Sequence, residues 1–328
     1  MSDYAPGSSS TSKLVESTRE LVDAALEPSS RKAYDKAFHN FSSFQTATIG
    51  LPSPCFPATI ADILLYISHL RDKNLSPNTI VSEISKLSYF HKLAGHFDPT
   101  NAFIVKKQLI GVHKLNPSAD SRLPITVGVL LKLVRALELT LSNSYTMSLF
   151  RAMYLTAFHG FLCIGEMTAR GSGAPNPSLS RENVKFFLNH DGEQSVELVI
   201  SNYKHNTKGS PFSIVIGPQR NPLCGVSALD HYIKLRGDTP GPLFCHPNFT
   251  PIHRDVFNKQ LTRDLRFCHL DPTRFKGHSF RIGAASLAVQ NNLSDAQIRR
   301  LGRWNSDSFK KYIRTPTLWS SQATGQFE

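Results

Sequence analysis

Residues 276–316 read KGHSFRIGAASLAVQNNLSDAQIRRLGRWNSDSFKKYIRTP. Their periodicity predicts helices at His278–Gln290, Ser294–Gly302 and Ser306–Tyr312. His278 and Arg281 stand three apart, so both leave the first turn of their helix in the same direction, where free backbone N–H groups favour an anion. A phosphate site is the chemistry this pairing permits, although an HxxR spacing alone also fits a capping His beside a solvated Arg. Charge supports the anion. From Thr273 to Arg314, nine basic residues (Arg274, Lys276, Arg281, Arg299, Arg300, Arg303, Lys310, Lys311, Arg314) stand against Asp295 and Asp307, giving this segment +7.

The whole chain of 328 residues carries 37 Lys and Arg against 25 Asp and Glu, a net +12 of which that segment holds more than half. Such an excess favours a polyanionic partner and, for nucleic acid, binding driven by counterion release. With 40% hydrophobic and 19% charged residues the composition is that of a globular protein of about two domains. No apolar run approaches the roughly 20 residues that cross a bilayer, and MSDYAPGSSSTS lacks the regions of a signal peptide, so an intracellular protein without a membrane partner is expected. Five cysteines, widely spaced and without a CxxC pair, indicate neither a disulfide framework nor a zinc ribbon. Cys245-His246 and Cys268-His269 are separated by 21 residues, which fits no usual zinc ligand set; no metal and no cofactor is expected.

Working outward, residues 1–12 are Ser/Gly-rich and expected as a disordered tail. Residues 13–115 read as an all-helical block: two amphipathic helices parted at Pro28, with Ser29 or Ser30 as cap of the second, a helix capped by Thr59, one starting at Ser76-Pro77, and one near Asn101–His113. Periodicity fades in residues 116–124, the expected linker. Beyond it, residues 125–316 read as α+β: helices at Thr126–Leu139 and Ser142–Phe161, a small antiparallel sheet from Val184–Leu188, Val196–Ile200 and Phe212–Ile216, then helices to Tyr312. Residues 317–328 form a C-terminal tail. The expected fold class is therefore mainly α with one small antiparallel sheet.

Taken together and in this order, GHSFRIGAA, LGRW and the tyrosine of YIRTP resemble the signature of the tyrosine recombinases, the phage-integrase family, with the nearest likeness to recombinases of eukaryotic DIRS-type and Crypton-like mobile elements. The likeness spans nearly the whole chain after the tail and is most specific at residues 277–316. It implies a helical, SAM-like core-binding domain at 13–115 and a catalytic domain at 125–316. It also implies metal-independent DNA strand cleavage and rejoining through a 3′-phosphotyrosyl intermediate, that is, DNA recombination and integration. On that resemblance Tyr312 is the nucleophile, Arg281 a clamp on a non-bridging oxygen, His278 a proton-transfer group, and Trp304 a packing residue that donates its indole N–H to the phosphate. Lys204 of SNYKHNTKG is the hairpin general acid, with Lys208 as its rival and otherwise a DNA contact. Arg274, Lys276, Arg299, Arg300 and Arg303 are expected to meet DNA.

One position departs from the pattern. FHGFLCIGEMTA resembles the first-arginine motif, with Glu166 retained and Cys163 where the arginine belongs. A thiol is short, neutral at its ordinary pKa and unable to grip a phosphate with two N–H groups, so cleavage is expected to be impaired unless another arginine, Arg151 or Arg170, reaches the site. The chain is then either a strand transferase or a catalytically inactive recombinase-derived DNA-binding protein. The resemblance further implies double-stranded DNA as partner, a homotetramer on DNA joined by exchange of the C-terminal segment through Trp319 and Phe327, and the nucleus as location in a eukaryote.

Overall fold

The computed structural model describes residues 9–51, 54–117, 122–169, 179–201 and 210–313. Its contacts divide the chain into two compact units, Met1–Asp120 and Ser121–Glu328.

The first unit is helical: α1 Ser9–Ala24, α2 Pro28–Ala47, α3 Ile60–Asp72, α4 Pro77–Leu93 and α5 Phe103–Leu115. α1 starts inside the segment expected as a tail. α2 begins with Pro28 in its first turn behind Glu27 at the N-cap, so the helix starts ahead of both Ser29 and Ser30. Pro28 explains this: its fixed φ and absent N–H suit a helix start, which moves the boundary ahead of both serines. Thr59 does cap α3, in a reciprocal box with Asp62, and Ser76 caps α4. The core gathers Phe41, Phe44, Ile63, Ile67, Ile84 and Leu87 around the buried ring of Tyr66, 5.1 Å from Phe41 and 5.0 Å from Phe44.

The second unit runs α6 Val127–Thr140, α7 Ser144–His159, the short α8 Ile164–Met167, strands β1 Val184–Leu188, β2 Gln194–Ile200 and β3 Phe212–Ile216, then α9 Gly225–Arg236, α10 Arg254–Phe267, α11 His278–Gln290, α12 Asp295–Gly302 and a 3₁₀ helix, Asp307–Tyr312. The sheet is antiparallel in the order β1-β2-β3, with Val184 opposite Leu198 and Leu198 opposite Ile214. The alternation of these apolar residues places one face of the sheet on the core. α7 is central, as every residue from Ser148 to Phe158 except Arg151 is buried. Tyr154 on α7 meets Phe257 of α10 at 5.6 Å and Phe280 of α11 at 5.3 Å. The fully buried Asp264 accepts hydrogen bonds from Tyr154 (2.7 Å), Thr140 (2.8 Å) and Gln260 (2.7 Å), while burial pushes its pKa up.

Two further features differ from the sequence reading. The expected linker ends too late: the Leu123 and Ile125 N–H groups donate to the carbonyls of Arg274 and Ser279, which ties this strand of chain to the start of α11. The segment before Tyr312 is a 3₁₀ helix, tighter than the α-helix its period suggested. Among the described residues no helix is long and apolar enough to cross a membrane.

Candidate active site

The site is assembled from four short stretches: Gly160–Glu166, the start of α11, the turn after α12, and the 3₁₀ helix. Glycines set their spacing. A Cβ on Gly283 would lie 1.9 Å from the Ile125 carbonyl oxygen, and one on Gly302 would lie 1.7 Å from the Trp304 ring, so only glycine admits these approaches. α11 is thereby pressed against the chain entering the second unit, and Trp304 folds back over the end of α12.

From the first turn of α11, half-buried His278 brings Nε2 to 3.0 Å from the hydroxyl of Tyr312, and the two rings lie 5.3 Å apart. Arg281, one turn on, is buried. Its Nη1 donates to Cys163 Sγ at 2.9 Å, its Nη2 donates to the Gly302 carbonyl, and its guanidinium lies 4.3 Å from the centre of the Trp304 ring. The Trp304 ring also packs, tilted, against Tyr312 at 5.4 Å and Phe309 at 6.0 Å. The structure therefore brings His278, Arg281, Trp304, Tyr312 and Cys163 together. Phe309 is fully buried in a small cluster with Phe161, Ala284, Ala285, Ala288 and Ile298, which docks the tyrosine-bearing helix onto its own chain.

Glu166 is buried beneath this constellation. It accepts from the Cys163 N–H at 2.7 Å and from Arg303 Nη2 at 2.9 and 3.2 Å. Arg303 departs from the expectation that it lies with the DNA-facing cations. It sits just after α12 in the left-handed region (φ 55°), which turns its side chain inward, where it also donates to Phe161 O at 3.2 Å. Phe161 is itself left-handed (φ 50°). Burial and the neighbouring Arg281 lower the Arg303 pKa, opposed by Glu166 and Cys163; burial raises that of Cys163, opposed by Arg281, so the thiol stays protonated and brings no charge.

Of the other basic candidates, Arg274, Lys276 and Arg300 are exposed, while Arg299 is partly covered and pairs with Asp307 at 3.3 Å. Arg151 is held elsewhere, Nη2 on the Pro222 carbonyl at 2.8 Å and Nη1 3.6 Å from Glu138, which removes it as a substitute for the missing arginine. Lys204, Lys208, Arg170, Trp319 and Phe327 lie outside the described residues. The brace between Arg303 and Glu166 was not foreseen; the signal available was an arginine between the glycine and tryptophan of LGRW.

This architecture, a helical unit followed by a mainly helical unit with one small antiparallel sheet, is the tyrosine-recombinase fold. The chain is similar to the Tn1549 transposon integrase solved with circular intermediate DNA, with a TM-score of 0.63 at 12% identity over 91% of this chain and 93% of that one. A lambda integrase dimer bound to a COC' core site gives 0.57 at 16% identity over 94% and 96%. The XerH site-specific recombinase in a post-cleavage complex with a palindromic difH substrate gives 0.56 at 13% identity over 88% and 76%. No protein-family model and no curated protein matches the sequence.

Proposed function

We propose that the protein binds double-stranded DNA and cleaves and rejoins its strands through Tyr312. The observation that carries this reading is the 3.0 Å contact between His278 Nε2 and the Tyr312 hydroxyl, one helical turn from Arg281. In the proposed step Tyr312 Oη attacks the phosphorus of a backbone phosphodiester and the bond to the 5′-oxygen breaks. A 3′-phosphotyrosyl link and a 5′-hydroxyl result. The tyrosine proton passes to His278, and the leaving oxygen takes a proton from the hairpin lysine that the resemblance nominates, Lys204, with Lys208 as the alternative. The 5′-hydroxyl of a partner strand reverses the step, breaking the tyrosyl ester and returning the proton. Arg281, oriented by the Trp304 ring, holds a non-bridging oxygen as negative charge grows there, which is how preorganised cations lower such barriers.

The first unit serves in this reading as the core-binding domain and the second as the catalytic domain. Arg274, Lys276, Arg299 and Arg300 meet phosphates. Affinity for DNA then falls steeply with salt, and Arg299→Ala with Arg300→Ala reduces the logarithmic slope by about 2, since each phosphate contact contributes about 0.9; a salt-independent Kd would overturn the binding. Kinship to DIRS-type or Crypton-like elements, supported by GHSFRIGAA, LGRW and YIRTP, goes with a tetramer on DNA and a nuclear location.

A second reading, a DNA-binding protein without chemistry, is favoured by Cys163, which leaves Arg281 bonded to a neutral sulfur. Covalent trapping on nicked suicide DNA substrates decides between them. A protein–DNA adduct from the unmodified chain that Tyr312→Phe abolishes is the expected result; an adduct formed only by Cys163→Arg would establish the second reading.

A further inference from the structure

We propose that Arg303 is a second phosphate-binding guanidinium of this site, supplying beside Arg281 the positive charge that Cys163 lacks; this rests on the strand-transfer reading above. Arg281 and Arg303 are only 6% and 8% exposed, and among the described residues the Nε of each is buried without a hydrogen-bond partner. A buried N–H with no acceptor is costly and rare, and two in one cluster mark a place built for an acceptor that comes from outside. The charge count agrees. Arg303 is paired with the carboxylate of Glu166, whereas among the described residues Arg281 bonds only the Cys163 thiol and the Gly302 carbonyl, so the buried cluster holds one positive charge more than its own residues balance.

Position supports the same ligand. Arg281 bonds the Cys163 sulfur, whereas Arg303 bonds Phe161 O and Glu166, so the two arginines flank the segment 161–166 where the first arginine is missing. The Arg303 side chain, only 3% exposed, lies behind the wall of an open pocket of about 460 Å³ that Arg303 lines with Trp304, Phe212, Arg299 and Asn305. It also holds a left-handed backbone, a conformation disfavoured for arginine and retained where it aims a side chain at a functional site. A phosphodiester presents two non-bridging oxygens. Arg281 takes one and Arg303 the other, with the charge-assisted bonds that guanidinium gives to phosphate.

The rival account is that Arg303 only braces Glu166 and Phe161. Arg303→Lys separates the two, because a lysine keeps the ion pair with Glu166 but has no Nε–H. Calorimetric titration of the full chain with inorganic phosphate at low ionic strength is the direct measurement, run on the unmodified protein, Arg303→Lys, Arg303→Gln, Arg281→Lys and, as an off-site control, Arg220→Gln. Thermal melts report which variants remain folded. Phosphate affinity is expected to drop about 10- to 100-fold in Arg303→Lys and in Arg281→Lys and to hold in Arg220→Gln. Undiminished binding by a folded Arg303→Lys, or no measurable binding by the unmodified chain, overturns the proposal. Trapping on nicked DNA separates this from the reading beneath it. If Arg303→Lys loses phosphate but no variant forms an adduct, Arg303 stands as an anion ligand and strand transfer falls; if Arg303→Lys forms adduct at the unmodified rate, Arg303 falls and strand transfer stands.

Discussion

The second unit contains two apolar clusters of different kinds. The larger joins α6, α7, the sheet, α9 and α10, and interlocks aromatic rings such as Tyr154, Phe257 and Phe280. The smaller, which holds the tyrosine helix, is built on three alanines of α11, Ile298 of α12 and two rings, Phe161 and Phe309. Buried area scales stabilisation, so the first cluster is the stronger by far. Arg281 and His278 ride on a helix anchored in the large cluster, whereas Tyr312 is kept in place by the small one. The contrast teaches that Arg281 and His278 belong to the framework, and Tyr312 to a segment held by much less buried apolar area.

The largest effect that tests this contrast is Phe257→Ala. It empties a site in the large cluster and is expected to lower the unfolding free energy of the second unit by about 3–5 kcal/mol, read from denaturant midpoints. Glu166→Gln follows closely. It leaves Arg303 buried without its carboxylate, a change of about 3 kcal/mol that a thermal melt detects. Phe309→Ala removes an equally large ring, yet its segment is free to peel away instead of sustaining a cavity. The expected outcome is a melting shift less than half that of Phe257→Ala, with amide exchange raised across residues 307–313 and unchanged in α7; equal shifts would erase the distinction between the clusters.

A smaller effect is one of pH. His159, at the end of α7, bonds the Leu223 carbonyl at 2.8 Å, and burial lowers its pKa below the ordinary value. The folded protein therefore binds fewer protons there than the unfolded chain, whose histidine titrates near about 6.5, so stability declines as pH falls below that value, by at most about 1.4 kcal/mol per unit. His159→Gln is expected to flatten that slope in melts between pH 7 and 5. The smallest effect is at Arg299–Asp307, an exposed pair whose removal by Asp307→Asn changes stability by about 0–1 kcal/mol, measured in the same melts.

Elements that announce themselves by local rules were legible in the sequence: Thr59 as a cap, a helix start at Ser76-Pro77 with the proline in the first turn, and the three β-rich runs. The constellation of His278, Arg281, Trp304 and Tyr312 was legible as a motif, but its geometry was not. Period alone does not separate an α- from a 3₁₀ helix over the short stretch 307–312, where packing of Phe309 decides. Nor does it show that Arg303 turns inward, because that follows from one backbone angle after Gly302 and from a carboxylate 137 residues earlier. An arginine in a basic run reads as a surface cation until the fold supplies its partner.

Phe161 and Arg303, the two left-handed residues joined at 3.2 Å, have an evolutionary consequence. A β-carbon in that conformation costs about 1–2 kcal/mol, which glycine avoids. In a copy of this chain released from any need for the site, drift toward glycine at 161 and 303 is therefore tolerated on backbone grounds, but only glycine at 303 removes the contact, because residue 161 accepts it through its backbone carbonyl. Position 303 is therefore the gauge of use: Phe161 is also kept by its packing in the small cluster, whereas a side chain at 303 carries a strain offset only by the contacts it makes in the pocket.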